Sequence, residues 1–341
     1  MNTTSTAIPA TMATSGTDLH VVFGANGQVG TLIVRELAAQ GGRVRAVNRS
    51  GKADVPAGVE VVRADAMNRD QAIAAAAGAR VIYHTMGAPV YSARVWAETL
   101  PMYMDNVIAA AESAGARLVY VDNLYMYGKP DGPMIETSPI RPVENKGIIR
   151  AAVARTLIKA HERGRVEATI GRASDFYGPG ATNSIQGMFV FANIVAGKTP
   201  QWPANLDMPH TSSYVADFAR GIVTLGTRPE AAGEVWHIPA AEPLTGREFI
   251  ALATEAAGTA SKAATLPTTL LRLAGLFNVR ARESAKMAYE FAYPYVMDGG
   301  RFTRAFGGQP TPHREAIRET LMGFQQRASQ PTASQTRKAT A

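Results

Sequence analysis

The chain has 341 residues, with 35 Lys and Arg against 28 Asp and Glu, a formal net charge of +7, 46% hydrophobic residues and no cysteine. That apolar content excludes a mainly disordered chain. Its 31 Gly and 20 Pro follow no strict period, which excludes a fibrous one. The missing cysteine removes disulfides, thiolate metal sites and a cysteine nucleophile from consideration.

Residues 1–17 carry no charged side chain and read as a disordered leader. A secretory signal needs a basic start and a continuous apolar run, and Ile8-Pro9 supplies neither. From Leu19 to Phe23 a short apolar run predicts a first strand, stopping at Gly24. A helical pattern through Val29, Leu32, Ile33, Val34 and Leu37 then ends at Gly41-Gly42. Val44–Val47 and Val59–Val62 predict the next strands, and a polyalanine helix (Gln71–Ala77) leads into Val81–His84. A helix over Met102–Ser113 precedes a strand at Leu118–Val121. Short buried strands alternating with helices predict an α/β, Rossmann-like doubly wound parallel sheet with right-handed crossovers.

Beyond this the rhythm changes. Helices are expected over Gly147–Glu162, Ile185–Gly197 and Val215–Leu225, with strands at Ala168–Ile170 and Glu234–Ile238 and further helices up to Gln325. Residues 327–341 are polar and read as a disordered tail. There is no run of about 18 apolar residues that would cross a bilayer, and a cytoplasmic location is expected.

The turn Gly24-Ala25-Asn26-Gly27-Gln28-Val29-Gly30 joins the first strand to the first helix. Glycines there let the backbone approach a pyrophosphate, which the helix N-terminus binds through unpaired N–H groups. The second strand ends in Asn48-Arg49-Ser50. Enzymes that prefer NAD usually carry an acid at that place to accept from the ribose 2′-hydroxyl, whereas Arg suits a 2′-phosphate. Arg49 and Ser50, with Arg43, Arg45 and Lys52 adding positive field, therefore predict NADP over NAD. Asp65 with Ala66 after the third strand, and Met86-Gly87 after the fourth, complete the expected cofactor residues.

These motifs, with Tyr127-Gly128, Arg172–Gly180 and His210–Asp217, resemble the extended short-chain dehydrogenase/reductase family, which includes NAD-dependent epimerases and dehydratases. The likeness runs from about Leu19 to Phe324. It implies a nicotinamide-binding Rossmann domain, here mainly 18–180 with later segments returning to it, and a small C-terminal α/β substrate part, mainly 181–326. It also implies that Tyr177 lies near the nicotinamide.

The catalytic set departs from that family. A Ser or Thr four residues before the Tyr-Gly pair is replaced by Asn123, and Tyr-x-x-x-Lys at the next helix is replaced by Lys146 and Arg150. Lys146 and Arg150 share one helix face and are expected to point at the cofactor. Arg150 would hold ribose hydroxyls or a phosphate, Lys146 would exchange a proton, and Asn123 would polarise a carbonyl. Tyr125, at the end of the same strand as Asn123, is the other candidate proton donor. A literal Tyr125-x-x-x-Lys129 is followed by Pro130 and Gly132, so it reads as a loop. The scattered histidines predict no metal.

The expectation is an NADP-dependent oxidoreductase acting on a carbonyl or alcohol of a small, largely apolar substrate. The alternatives are a sugar-nucleotide epimerase or dehydratase, and a non-catalytic NADP-binding sensor. The +7 resolves into Arg327, Arg337 and Lys338 in the tail and Arg43, Arg45, Arg49 and Lys52 in the acid-free segment 41–53. No nucleic-acid or membrane partner is expected, and a homodimer is left open.

Overall fold

A computed structural model describes residues 17–330. The expected leader, apart from Thr17, and the expected tail from residue 331 lie outside the described residues.

The first half alternates as predicted: β1 (Leu19–Phe23), α1 (Gln28–Ala39), β2 (Arg43–Asn48), β3 (Glu60–Arg63), α2 (Arg69–Ala76), β4 (Val81–His84), α3 (Ala93–Ala114), β5 (Arg117–Asp122), α4 (Asn145–Glu162) and β6 (Ala168–Arg172). The second half has short strands β7 (Asp175–Tyr177), β8 (Gln201–Pro203), β9 (Pro209–His210), β10 (Ser212–Tyr214), β11 (Val235–His237), β12 (Leu244–Thr245) and β13 (Ala264–Leu266). They run among α5 (Ala192–Val195), α6 (Val215–Thr227), α7 (Gly246–Ala256), α8 (Thr268–Ala274), α9 (Val279–Met287), α10 (Gly300–Phe306) and α11 (His313–Ser329).

Seven parallel strands form the main sheet in the order β11-β6-β5-β4-β1-β2-β3. The period-2 alternation of a strand divides its apolar residues between two cores. Val21, Ile82 and Leu118 pack with Val107 of α3 and Leu157 of α4. Their chain neighbours Val22, Tyr83 and Val119 pack with Ile33 of α1 and Ile222 of α6 on the other face. Burial on both faces is why these strands read as continuous apolar runs. A third core, with Tyr177, Phe191, Trp202, Phe249 and Phe324, lies outside the main sheet among the later elements.

Three boundaries differ from the sequence reading. Helix α3 starts at Ala93, nine residues before the expected Met102, and carries Pro101 inside it. The hydrogen bond that Pro101 cannot make is outweighed by burial of Trp96, Leu100, Tyr103 and Met104 along one helix face. The helix expected over Ile185–Gly197 is a wide π-helical stretch, Gln186–Phe191, that tightens into α5. Arg327 belongs to the last turn of α11 rather than to a tail, and it lies beside Gly180.

Candidate functional site

Strand order reverses between β1 and β4, and a crevice opens there at the carboxyl ends of the strands. The turn after β1 enters α1 through Gly27, which has an extended backbone and no side-chain cap, so the first-turn N–H groups stay available to an anion. Gly30 is dictated by contact: a Cβ there would stand 2.3 Å from the Gly24 carbonyl oxygen. Only glycine lets the helix settle onto the turn.

A cleft of about 390 Å³ lies over this turn. Gly24, Asn26, Gly27, Asn48, Arg49, Ser50, Asp65, Ala66, Met86 and Gly87, all expected cofactor residues, line it. The Asn48 side-chain oxygen accepts from Ser50 N (3.0 Å), Ser50 Oγ (2.7 Å) and Gly51 N (2.9 Å). Asn26 donates to the Lys52 carbonyl at 2.8 Å. Asn26, Asn48 and Ser50 thus fold the loop, and they leave the Arg49 guanidinium without a hydrogen bond or ion pair among the described residues. Arg45 does not contribute to this field. It pairs with Glu60 at 2.8 Å and caps the carbonyls of Ala75 (3.0 Å) and Ala77 (2.9 Å) at the end of α2.

Gln28, the first residue of α1, faces a second cleft of about 240 Å³, shared with Asn123, Tyr125, Arg150, Ser174, Asp175 and Phe176. Five buried polar atoms of this lining have no hydrogen-bond partner: the donors Gln28 Nε2, Arg150 Nε, Ser174 Oγ and the Tyr295 hydroxyl, and the acceptor Asp122 Oδ1. Unpaired buried donors are costly, and here they converge where α1 meets the second cleft. The free helix N-terminus, the glycine cradle and these donors fit an extended dinucleotide. Val29, an expected cofactor residue, has its side chain buried in the second core, which leaves only its backbone free to meet a ligand.

Asn123 and Tyr125 border the second cleft. Asn123 Oδ1 accepts from Tyr125 N at 3.2 Å, which leaves its amide able to donate. Residues Tyr125–Tyr127 form a 3₁₀ turn pressed against α4: a Cβ on Gly147 would lie 2.4 Å from the Tyr125 carbonyl oxygen. The Tyr125 ring stacks on Trp96 with centroids 6.3 Å apart, and its hydroxyl is 3.5 Å from that of Tyr91. Burial pushes the Tyr125 phenol well above its ordinary pKa.

Of Lys146 and Arg150, only Arg150 lines the second cleft. It donates to the Tyr120 hydroxyl at 2.7 Å and stands 3.5 Å from Asp122. Lys146 is buried, paired with Glu283 of α9, and sits 4.3 Å over the Tyr91 ring. Its pKa is lowered, by burial rather than by Arg150, and Glu283 partly restores it. Lys146 lines none of the three cavities around the site.

Tyr177 also departs from expectation. It is turned into the third core, its hydroxyl 3.1 Å from His313 Nδ1, and its strand neighbour Phe176 faces the cleft instead. A one-residue step along a strand exchanges faces. Lys129 lies 4.8 Å over the Tyr293 ring, away from Tyr125.

The sequence reading missed four groups. Glu283 holds Lys146, while Asp175 is hydrogen-bonded to His210 Nε2 at 3.0 Å. Tyr295 borders the second cleft, and Glu290 lies behind it, bordering a narrow space with Tyr91, Tyr125 and Asp175. The stretch Met287–Tyr295 was the available signal: its aromatic residues suit either an apolar pocket wall or the packing of a helix end, and neither reading singles out its acid.

A model of the NAD dependent epimerase/dehydratase family matches residues 20–238. The dTDP-6-deoxy-L-talose 4-dehydrogenase (NAD(P)(+)) of Kitasatospora kifunensis is 26% identical over 264 residues, covering 72% of this chain and 81% of that protein. Among solved structures, a double mutant of dTDP-glucose 4,6-dehydratase from Streptomyces venezuelae with NAD bound is 21% identical. It covers 90% of this chain and 96% of its own, with a TM-score of 0.74. UDP-glucose 4-epimerase of Thermus thermophilus in complex with NAD is 20% identical over 92% of this chain and all of its own, with a TM-score of 0.72. At these identities the two structures speak to the fold.

Proposed function

The chain belongs to the NAD-dependent epimerase/dehydratase family, and from that premise we propose that it is an NADP-preferring oxidoreductase interconverting a secondary alcohol and a ketone on a small substrate. The observation that carries this reading is the gathering of four unpartnered buried donors on the cleft next to the helix N-terminus. Such donors are satisfied when ligands enter.

When bound, the nicotinamide supplies or takes up hydride. The chain's own residues divide the rest. Gly24, Gly27 and the start of α1 would hold the pyrophosphate, and Arg49 a 2′-phosphate. Asp65 would mark the adenine side. Gln28, Arg150 and Ser174 would orient the nicotinamide half and the substrate, and the Asn123 amide would donate to the substrate oxygen and polarise its carbonyl.

The substrate expectation shifts. At about 240 Å³ the inner cleft falls below the roughly 300–1,000 Å³ of ordinary ligand pockets. Its lining mixes Asn123, Asp175, Asn183 and Ser184 with the faces of Phe176 and Tyr295. That mixture suits a hydroxylated ring better than a largely apolar molecule.

A second reading, a sugar-nucleotide enzyme, is favoured by the 26% identical dTDP-sugar dehydrogenase and by an outer cavity of about 610 Å³. Lys129, Arg272, Arg282 and Lys286 border that cavity and offer cations to a diphosphate. Epimerase or dehydratase chemistry is less favoured, because the position of the family's proton-exchanging tyrosine holds an ion-paired lysine.

The test is oxidation of NADPH and NADH by the purified full chain with small hydroxyketones and with a dTDP-4-keto-6-deoxy sugar, alongside calorimetric titration with dTDP. Turnover of the small ketones without dTDP binding supports the first reading. Turnover of the dTDP sugar with dTDP binding supports the second. Tight NADPH binding with no turnover of either would favour the sensor alternative.

A further inference from the structure

We propose that Glu290 is the proton store of the site and feeds the substrate oxygen through the hydroxyl of Tyr295. The proposal rests on the oxidoreductase reading above and deepens it by supplying the proton that the family's missing tyrosine would have carried.

Glu290 is 1% exposed and its Oε1 has no hydrogen-bond partner. Tyr295 is equally buried, borders the substrate cleft, and its hydroxyl likewise has no hydrogen-bond partner. Its hydroxyl faces the Glu290 carboxyl. A space of about 20 Å³ bordered by Tyr91, Tyr125, Asp175 and Glu290 lies behind the cleft, and Tyr125 and Asp175 border both. That is about the room one water molecule needs.

The charged and titratable groups around Glu290 come from several elements. Asp175 of β7 repels its anion, and Lys146 of α4 is close enough to favour the anion but is neutralised by Glu283. His210 of β9 stands 3.2 Å from the Glu290 backbone carbonyl and holds Asp175. Tyr91, Tyr125 and Tyr289 contribute phenols and no charge. Burial, reinforced by Asp175, holds the Glu290 carboxyl well above the usual carboxylate range, so it keeps its proton near neutral pH. Lys146 has no comparable freedom, because donating its proton would leave Glu283 as a buried, weakly compensated anion.

In the reducing direction the carbonyl π pair moves onto the substrate oxygen as its carbon gains hydride. That oxygen takes the Tyr295 hydroxyl proton, so a substrate O–H bond forms and the tyrosine O–H bond breaks. The tyrosine oxygen takes the Glu290 proton, and the resulting carboxylate recovers one from water. Oxidation runs the same transfers backwards. Glu290 acts through Tyr295, so it is a positioning residue and Tyr295 the group that meets the substrate.

The test pairs a measurement without cofactor with one during turnover. In the full chain at neutral pH, infrared difference spectroscopy should show a protonated carboxylic acid band that Glu290→Gln lacks, with unchanged circular dichroism. In turnover, Glu290→Gln should lower kcat by about 100-fold with KM within about threefold. It should also remove the alkaline limb over which reduction fails as the carboxyl loses its proton. Glu290→Asp, which keeps an acid, should restore part of kcat together with a limb.

A carboxylic band that persists in Glu290→Gln overturns the relay, as does an unchanged kcat and alkaline limb. If Glu290→Gln misfolds, Tyr295→Phe decides: an undiminished kcat there overturns the relay. A carboxylic band that disappears in the variant, combined with no nicotinamide-dependent turnover by the native chain, removes the oxidoreductase reading and the relay's role with it, while leaving the protonated acid established.

Discussion

Glu283 of α9 and Lys146 at the start of α4 lie 137 residues apart in sequence and meet as a buried ion pair, 4% and 1% exposed, walled by the rings of Tyr91 and Trp96. The Ala93 N–H and Lys286 bind the same carboxylate, at 3.2 and 3.0 Å. The pair therefore ties α9 to α3 and α4 at the very position where the family places its proton-exchanging tyrosine.

Breaking one side of that pair should be costly. Glu283→Ala leaves a buried ammonium without its main partner and should destabilise the chain by about 3–5 kcal/mol, whereas Lys146→Met combined with Glu283→Met should return most of the loss. Urea unfolding midpoints with an unchanged m-value measure both. Simple addition of the two single losses in the double variant would contradict the pairing.

The proposed NADP preference rests on the Arg49 guanidinium. Arg49→Asp should weaken NADPH binding about 10- to 100-fold, the worth of a charge-assisted contact, and leave NADH nearly unaffected. Fluorescence titration of the reduced nucleotides reads this directly. Equal weakening of both would remove the 2′-phosphate assignment.

Asn123 and Tyr125 should separate in turnover. Asn123→Ala removes the donor aimed at developing negative charge and should lower kcat by about 10²–10³ with little change in KM. Tyr125→Phe should cost less than Tyr295→Phe, because the Tyr125 hydroxyl spends its contact on Tyr91 and its ring on Trp96. The reverse order of the two phenylalanine variants would transfer the proton role to Tyr125.

The buried acid also sets a pH dependence of stability. Glu290 keeps its proton in the folded chain above the pH at which an unfolded Glu loses it, so the folded state binds more protons there. Stability should then fall as pH rises from about 4.5 toward the raised folded value. In Glu290→Gln that downward slope should disappear. Chemical denaturation at a series of pH values checks it, and parallel slopes in both proteins would refute it. On the acid side His84 and His237, held near a pKa of about 3 mainly by burial, should destabilise the fold as pH drops from about 6.5 toward 3.

Much of the nucleotide-binding part was legible because its causes are local. The run Leu19–Phe23, the glycine turn and the Leu-rich face of α1 each carry their own period, and Gly30 needs only its neighbour Gly24 to explain it. The rest depended on contacts between distant segments. Lys146 looked like a free base because nothing near it in sequence names Glu283. Arg45 looked like part of a phosphate field because its partner Glu60 sits on the next strand. The resemblance singled out Tyr177, and nothing local showed that on β7 it is Phe176 that faces the cleft.

The last strand of the main sheet has a consequence for how the chain is made. β11 joins β6 at the edge through Ile170 N to the Glu234 carbonyl at 3.1 Å and Ile238 N to the Arg172 carbonyl at 3.0 Å, yet more than sixty residues separate the two strands. A ribosome that has emitted β6 must still emit β7 to β10 and α6 before that edge can close. Until then β6 presents a bare row of amides and carbonyls to other nascent chains, an open template for mispairing. A stalled product ending near residue 200 should therefore be captured by strand-binding chaperones, and one ending beyond Phe306 of α10, which packs on Trp236, should be released.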